Sequence, residues 1–391
     1  MSLFKIAIMV VFWLGQVKLG ITIINKYIVF LRDSLAKHLF TIFFGFLMFS
    51  WPVFFFCSCR DSLFLHNLLL FRPDRPAGWL LLLFFLYGVF QFFRANIAAA
   101  FRMARHSLPE RVKLLETHKL HPDESQSWKS PRFPLFLTRP VNLLNDYYTL
   151  ESTVFEIQCS GLPEAFEGVR IAQLSDLHFD GRLDRRFYEF CVEEINRLRP
   201  DLVFVTGDHI SRRRYTPEVA GILSGLKPRG TVYVLRGNHD FWEDGPRLRK
   251  MFEENGFTLL DNRAVTLERR GQKIRIVGVE HPWKKWKTWD QELLYGDGLF
   301  TICATHTPDN FDRAASAGVP LTICGHTHGG QVRVPFFGSI VCPSRFSRRY
   351  DQGFFQKADS LLYVNRGVGS TVPFRLRCPS EITLFVLRRI N

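Results

Sequence analysis

The possible folds of this chain are limited by a series of five short apolar segments, each followed at once by a polar cluster. The segments have the length of buried β-strands. They span residues 169–175, 201–207, 231–237, 299–306 and 320–326. Helix-like stretches separate several of them, and the clearest is 184–198, in which apolar residues recur on one face. The pattern predicts an α/β domain, and the strand-like segments between 257 and 280 predict a mixed sheet.

The polar clusters contain residue types that bind metals and perform catalysis. In chain order they supply Asp176 and His178, then Asp208, then Asn238, His239 and Asp240, then His306, and finally His326 and His328. Taken singly, each cluster favours a structural interpretation, because a strand-end Asp is usually a cap and a lone buried His is usually a core residue. Ligand sites in α/β sheets form beyond the carboxyl ends of the strands. Five such clusters in this order therefore predict one site at one sheet edge.

These side chains form a ligand set with a coherent chemistry. Carboxylate, imidazole and amide oxygen donors, without thiolates, favour divalent first-row metals. Two ions roughly 3.5–4 Å apart can polarise a phosphoryl oxygen and lower the pKa of a shared water. Asp208 is predicted to bridge the two ions through its two carboxylate oxygens. His239 is then predicted to protonate the leaving oxygen or to stabilise phosphoryl charge, with Asp240 orienting its imidazole.

The order D-x-H, G-D, G-N-H-D, H, G-H-x-H resembles the pattern of the calcineurin-like metallophosphoesterases and extends over residues 151–391. The resemblance implies a four-layer α/β/β/α sandwich and two divalent metal ions, for which manganese is the expected metal. It also implies the roles of the site residues. Asp176, His178, Asp208 and His328 would hold one ion, Asp208, Asn238, His306 and His326 the other, and His239 would be the catalytic histidine supported by Asp240.

Four further stretches narrow the resemblance to a membrane-anchored bacterial branch of that family. They are residues 161–181, 305–311, 325–335 and 366–382. The branch includes enzymes that cleave UDP-2,3-diacylglucosamine to UMP and a lipid monophosphate in lipid A synthesis. A nucleotide-linked, anionic lipid is accordingly the expected substrate. The alternatives are a broad-specificity phosphodiesterase and a non-catalytic interaction module. The presence of every expected ligand disfavours the non-catalytic module.

The first 105 residues are predicted to be a membrane region. The uncharged runs 39–57 and 78–93 have the length and aromatic ends of bilayer-spanning helices, and they predict an N-terminal transmembrane hairpin. Basic residues flank both runs, which places the catalytic domain on the cytoplasmic side of the inner membrane. The alternative is a buried helical hairpin. Residues 106–150 are polar and interrupted by proline, so they are predicted to be a linker.

The net charge of +14 predicts an anionic partner. Because the hydrophobic hairpin makes the bilayer the simpler anionic partner, no nucleic acid is expected. The eight cysteines are scattered, with only Cys57 and Cys59 closely spaced, which favours a reducing compartment.

A tryptophan- and lysine-rich segment, 283–289, has two interpretations. It contains Trp283, Trp286 and Trp289. It is either a surface helix with its tryptophans packed inward or a loop that contacts the lipid–water interface.

Overall fold

The structure is a computed structural model that describes residues 108–122, 145–280, 282–283, 291–295, 298–334, 338–372 and 374–390, with isolated positions 11, 15, 17, 20, 21, 86, 87 and 90. Two compact units make up the chain, one formed by 1–107 and 335–347 and the other by 108–334 and 348–391. The predicted runs 39–57 and 78–93 lie outside the described residues, except for Leu86, Tyr87 and Phe90. Among the described residues, no helix has both the length and the apolar character needed to cross a membrane.

Strands and helices alternate over the first part of the larger unit. The described strands are β1 (Val112–Leu120), β2 (Leu150–Cys159), β3 (Arg170–Leu174), β4 (Leu202–Thr206), β5 (Val232–Leu235), β6 (Thr258–Leu259), β7 (Ala264–Arg269), β8 (Gln272–Val279), β9 (Thr301–Thr305), β10 (Leu321–Cys324), β11 (Arg333–Val334), β12 (Gly338–Ser339), β13 (Gly353–Lys357), β14 (Ser360–Val364) and β15 (Ser380–Arg389). The described α-helices are α1 (Arg185–Arg197), α2 (Thr216–Leu223), α3 (Asn238–Glu243), α4 (Gly245–Glu254), α5 (Gln291–Leu294) and α6 (Phe311–Ser316). Short 3-10 helices cover Asp146–Tyr148, Glu164–Phe166, Arg213–Tyr215, Pro308–Asn310, His328–Gly330 and Ser347–Tyr350.

Two large mixed sheets carry the predicted strands. The first has the order β1-β2-β15-β3-β4-β5-β6, in which β3, β4 and β5 are parallel and β15 is antiparallel to β3. The second has the order β13-β14-β10-β9-β8-β7, with β8, β9, β10 and β14 parallel. The mixed α/β class is therefore confirmed. The expectation of a single sheet edge is wrong, because β9 and β10 belong to the second sheet and β3, β4 and β5 to the first.

Three apolar clusters hold these layers together. Helices α1, α2 and α4 pack on the outer face of the first sheet, where Phe187 and Ile195 of α1 are fully buried. A second cluster fills the space between the two sheets and includes Phe204 and Phe385. A third joins the second sheet to α6 through Cys303 and other small residues. The layers thus follow the order helix, sheet, sheet, helix.

Helix α1 matches the helix predicted over 184–198. Asp184 caps it by accepting a hydrogen bond from the backbone N–H of Arg186 at 3.1 Å. This bond satisfies one of the N–H groups that have no partner within the helix.

The predicted linker 106–150 contains a strand, so that prediction is wrong for Val112–Leu120. Strand β1 pairs antiparallel with β2 along its length and forms the edge of the first sheet. Of its nine residues only Val112 is buried. Because most of its side chains face solvent, the strand lacks the alternation of apolar and polar residues by which a half-buried strand is recognised.

Candidate metal centre

The polar loops that follow β3, β4, β5, β9 and β10 meet at one end of the two sheets. Backbone bonds tie the first two loops together: the N–H of Asp176 donates to the carbonyl of Gly207 at 3.0 Å, and that of His178 to the carbonyl of Asp208 at 2.8 Å. A further bond joins the sheets, since the N–H of His326 donates to both carboxylate oxygens of Asp176 at 3.1 and 3.0 Å. The carboxyl ends of strands from both sheets therefore build one site.

Several of the predicted ligands have a backbone conformation that non-glycine residues rarely adopt. Their φ angles are 52° at Asp176, 46° at His178, 53° at Asp208, 72° at His326 and 52° at His328. Each such residue costs on the order of 1–3 kcal/mol and persists only when the surrounding structure imposes it. The cluster of left-handed residues marks this end of the sheets as a functional site.

Glycines allow the carboxylates to approach the neighbouring backbone. A Cβ atom at Gly237 would lie 2.2 Å from Asp208 Oδ1, and one at Gly325 would lie 2.2 Å from Asp176 Oδ2. No side chain fits at either position. The glycines that precede Asn238 and His326 in the sequence are therefore required by the geometry of the two carboxylates.

One group of potential ligands consists of Asp176, His178 and His328, whose ligand atoms lie within 4.8 Å of one another. The Nε2 atoms of His178 and His328 are 3.0 Å apart. Asp176 Oδ1 is 3.9 Å from the first of these nitrogens and 3.6 Å from the second. Asp176 and His178 are buried, whereas the His328 side chain is 13% exposed, so the first two donors are the ones shielded from water.

A second group consists of Asp208, His306 and His326, all buried. Asp208 Oδ2 lies 3.2 Å from His306 Nε2, and His306 Nε2 lies 3.2 Å from His326 Nδ1. The same Oδ2 atom is 3.4 Å from His178 Nε2 of the first group. Asp208 Oδ1 instead accepts a hydrogen bond from the backbone N–H of His239 at 2.8 Å. Asp208 thus faces both ligand groups with the same oxygen, Oδ2. This differs from the prediction, in which each of its two oxygens faces a different ion.

Hydrogen bonds fix how two of the imidazoles face the site. His306 Nδ1 lies 2.7 Å from the carbonyl oxygen of Thr206. Because a carbonyl only accepts, Nδ1 carries a proton and Nε2 is turned toward Asp208. His178 Nδ1 lies 2.8 Å from the hydroxyl of Ser211. Partners of this kind orient metal-binding histidines.

The electrostatics of the two carboxyl groups differ. Burial raises the pKa of Asp176 to about 6. Burial acts in the same direction on Asp208, but the neighbouring His306, His239 and His178 hold its pKa well below its usual range. Asp208 is therefore the carboxylate that stays ionised most firmly.

The imidazoles also divide into two kinds. Burial lowers the pKa of His178, His326 and His328 well below the usual histidine value. Burial would lower the pKa of His306 as well, yet the charge of Asp208 raises it to about 9. Three imidazoles are thus neutral donors near neutral pH, while His306 supplies positive charge to Asp208. A bound cation would take over that compensation.

The donor chemistry fits divalent cations. Two carboxylates are buried side by side, and imidazole nitrogens approach one another as closely as 3.0 Å. In addition, the side-chain oxygen of Asn238 is buried and has no hydrogen-bond partner among the described residues. A buried polar atom with no partner is costly, and a metal ion would satisfy it. Oxygen and imidazole nitrogen donors without sulfur suit first-row divalent metals.

His239 lies at the border of the site, but Asp240 does not have its predicted role. The His239 ring is 4.6 Å from that of His178 and forms a third potential ligand group with His178 and Asp208. The carboxylate of Asp240 binds His209 Nδ1 at 2.8 Å and accepts from the backbone N–H of His209 and Gly237 at 2.8 and 2.9 Å. Asp240 therefore holds the loops after β4 and β5 together and does not orient the His239 imidazole.

One residue that supports the site was not singled out from the sequence. The buried guanidinium of Arg375 donates to the carbonyls of Arg366, Gly367 and Gly369 at 3.0, 3.1 and 2.8 Å. The loop it shapes packs against the strand-end aspartate, since the N–H of Gly369 donates to the carbonyl of Asp176 at 2.7 Å. Arg375 lies within 366–382, a stretch whose resemblance to relatives was the available signal.

Comparison with known proteins agrees with this geometry. The profile of the calcineurin-like phosphoesterase family matches residues 169–330. The uncharacterized metallophosphoesterase YkuE of Bacillus subtilis is 32% identical over 251 residues, which are 62% of this chain and 87% of that protein. The phosphodiesterase YaeI of Escherichia coli is 26% identical over 56% of this chain and 82% of its own length. The UDP-2,3-diacylglucosamine pyrophosphatase LpxG of Chlamydia trachomatis is 25% identical over 57% of this chain and 85% of its own length.

Proposed function

Since the chain belongs to the calcineurin-like metallophosphoesterase family of metal-dependent hydrolases, we propose that it is a membrane-attached pyrophosphatase that cleaves UDP-2,3-diacylglucosamine to UMP and a lipid monophosphate. The observation that carries this proposal is the pair of ligand groups that meet at Asp208. A dinuclear centre suits the cleavage of a phosphoric anhydride, because two ions can stabilise both the attacking and the leaving oxygen.

The two ligand groups divide the predicted ligands between two divalent ions, for which we propose manganese. Asp176, His178, Asp208 and His328 would hold one ion, and Asp208, Asn238, His306 and His326 the other. When bound, such ions supply Lewis acidity and lower the pKa of a coordinated water. Asp208 Oδ2 lies 3.4 Å from His178 Nε2 and 3.2 Å from His306 Nε2, which is the position of a shared ligand.

His239 would serve the leaving group. Its backbone N–H is fixed by Asp208 and its ring stands beside His178. Unlike the fully buried His306, it retains 9% exposure, so a substrate oxygen can approach it. A histidine held next to the reacting phosphoryl group can protonate the leaving oxygen.

The lipid part of the proposal has separate support. The relative of known substrate named above is a UDP-2,3-diacylglucosamine pyrophosphatase. The runs 39–57 and 78–93 have the composition of membrane spans, and the net charge of +14 suits an anionic surface. We place the catalytic domain on the cytoplasmic side of the inner membrane because basic residues flank both runs.

Substrate competition tests the activity. Detergent-solubilised full-length protein with manganese is offered UDP-2,3-diacylglucosamine, bis(p-nitrophenyl) phosphate and a cyclic nucleotide, with product release followed for each. We expect the lipid nucleotide to be turned over fastest, with UMP as a product. Equal turnover of the simple diester would favour a broad-specificity phosphodiesterase. Bound metal without turnover of any substrate would favour a non-catalytic module.

Thiol labelling tests the orientation. The six described cysteines are buried, whereas the side chain of Lys250 is 75% exposed. A variant that combines Lys250→Cys with Cys57→Ser and Cys59→Ser should stay unlabelled by a membrane-impermeant maleimide in intact cells and become labelled after the inner membrane is permeabilised. Labelling of intact spheroplasts would place the domain on the outer side.

A further inference from the structure

Two tryptophans border the metal centre, and the proposed hydrolytic mechanism gives them no role. Trp242 lies in α3, three residues after His239, and its ring centroid is 5.0 Å from that of His239. Trp283 lies in the loop after β8, and its ring centroid is 5.2 Å from that of His326. The two indoles are 6.3 Å apart and nearly perpendicular, at 83°. The four rings form a continuous aromatic row from the catalytic histidine to a metal-ligating histidine.

The two indoles of the row are partly open to solvent, in contrast to the buried histidines. Trp242 and Trp283 are half-buried, whereas His326 is 5% exposed and His306 is fully buried. Because the indoles lie beside His239 and His326, a substrate group attached to a phosphate at the metals can reach them. Trp283 thus has a place beside the site, and Trp286 and Trp289 lie outside the described residues.

The loops that carry the two indoles are tied together from below. The backbone N–H of Trp283 donates to the carbonyl of Glu280 at 3.1 Å. The side chain of Glu280 is fully buried and binds Arg236 Nε at 3.2 Å. Arg236 directly precedes the Gly237–Asn238 turn into α3 and also binds Asp261 at 2.7 Å. These buried hydrogen bonds connect the base of the Trp283 loop with the base of the helix that carries Trp242, so the spacing of the indoles is built into the fold.

The indole nitrogen of Trp283 has an unmet hydrogen-bonding need. It is buried and has no hydrogen-bond partner within the described part of the chain. Buried indole N–H groups usually find an acceptor. A ligand that offers a planar face would stack on an indole, and a carbonyl oxygen at its edge would satisfy this donor once the Trp283 ring turns to expose the nitrogen.

We propose that Trp242 and Trp283 form a subsite for a planar nucleobase at the rim of the metal centre. The inference rests on the proposed function, because a nucleotide-linked substrate brings such a base to this rim, and uracil has both the planar face and the carbonyl oxygens. Stacking on aromatic side chains is tolerant of base identity, so the subsite selects a nucleotide over a bare phosphate ester while the metals act on the phosphates.

The test compares two phosphate monoesters that differ only in the base. UMP and ribose 5-phosphate are used as inhibitors of bis(p-nitrophenyl) phosphate hydrolysis by the manganese-loaded full chain, and calorimetry provides their affinities independently. With a stacking subsite, UMP should bind about 10-fold more tightly than ribose 5-phosphate. Trp283→Leu should bring the two affinities to within about 2-fold of each other, since the base contact is lost while both phosphates still reach the metals.

Three further measurements separate the subsite from a folding effect. Trp283→Phe keeps an aromatic face and should retain most of the preference for UMP. Tyr295→Leu removes an aromatic residue that is 53% exposed, and it should leave the preference at the parental value. Metal content should match the parent in all three variants, because no ligand is changed.

The outcomes distinguish this inference from the proposed substrate. A preference for UMP that depends on Trp283 supports the subsite even if UDP-2,3-diacylglucosamine is not cleaved. Cleavage of the lipid nucleotide with equal affinity for UMP and ribose 5-phosphate would overturn the subsite and leave the substrate standing. A Trp283→Leu variant that loses turnover of the diacyl substrate but keeps its preference for UMP would also overturn it, because the indole would then contact the lipid.

Discussion

Strand β4 connects the apolar core between the sheets with the metal centre, two regions that are equally buried but differ in polarity. Phe204 belongs to the core between the sheets, while Asp208, just beyond the strand, belongs to the metal centre, and both are almost inaccessible. Phe204 lies in regular strand and stacks on Tyr233 at 5.1 Å. Asp208 has a left-handed backbone and is surrounded by histidines. Burial stabilises the first by about 1.5–3 kcal/mol, whereas the second carries backbone strain of about 1–3 kcal/mol. The free energy gained by burying the core therefore offsets the backbone strain at the site.

The largest effect should come from Asp208→Asn, which acts on the site alone. Because Oδ2 faces both ligand groups, an amide there should weaken the binding of both ions. We expect a loss of at least about 10³-fold in kcat together with reduced metal content, while the protein remains folded. Elemental analysis of the purified variant, with circular dichroism as the folding control, checks this. A variant that kept two tightly bound ions would contradict the bridging position.

The complementary variant, Phe385→Ala, acts on the core alone. Phe385 is fully buried and its ring lies 5.0 Å from that of Tyr363. Removing the ring should lower the free energy of unfolding by about 3–4 kcal/mol, with normal metal content in the folded fraction. Denaturant unfolding measures the loss, and Leu114→Ala, at a side chain 47% exposed, is the control that should change little. Loss of metal from folded Phe385→Ala protein would break the separation of core and site.

His239→Ala should show that metal binding and proton donation are carried out by different residues of the site. The ring stands beside His178, yet the predicted ligand sets do not include it. We expect kcat to fall about 10²-fold or more, with metal content unchanged. If metal content fell in parallel with that of Asp208→Asn, His239 would be a ligand instead of a proton donor.

The pH-dependent effect concerns the buried cluster of Arg236, Asp261 and Glu280 between core and site. Burial and the neighbouring Asp261 raise the pKa of Glu280 from 4.5 to about 9. A carboxyl group whose pKa is raised by folding stabilises the protein fully below its unfolded pKa, and this contribution is lost as the pH rises toward the folded value. The free energy of unfolding should therefore decline between pH 4.5 and about 9.

Glu280→Gln mimics the protonated carboxyl group and isolates this contribution. The variant should be about as stable as the parent at low pH and should lose the decline on the alkaline side. Thermal unfolding across this pH range provides the measurement. An unchanged pH profile in the variant would show that Glu280 is ionised in the folded protein and paired with Arg236.

The sequence predicted the strands that enter the site because each is a continuous apolar run buried on both faces. β3, β4, β5, β9 and β10 all lie within the predicted segments. It also predicted which loops converge, since the polar residues follow the strand ends. The order of strands in two sheets was not predictable from these runs, because nothing local distinguishes a strand of one sheet from a strand of the other. β1 was missed for a different reason. Most of its side chains face solvent, so apolar and polar residues do not alternate along the strand.

Roles that depend on side-chain direction were the least predictable. Asp240 follows His239 in the chain, yet its carboxylate points to His209 and the backbone of the neighbouring loop. Ser211, three residues after Asp208, is the residue that meets His178. Trp283 and Trp242 are 41 positions apart and come together only through the fold. Because Asp240 follows His239, the sequence suggested that it orients that imidazole, and this prediction is wrong. Nothing in the sequence indicated the contact of Ser211 with His178 or the pairing of the two tryptophans.

We propose that two divalent ions are held at the junction of the two sheets, with Asp208 between them. The most direct test is elemental analysis of the purified full chain loaded with manganese, combined with anomalous scattering from its crystals. We expect two ions per chain, one beside His178 and His328 and the other beside His306 and His326, with the Asp208 carboxylate contacting both. A single ion, or two ions bound away from Asp208, would contradict it.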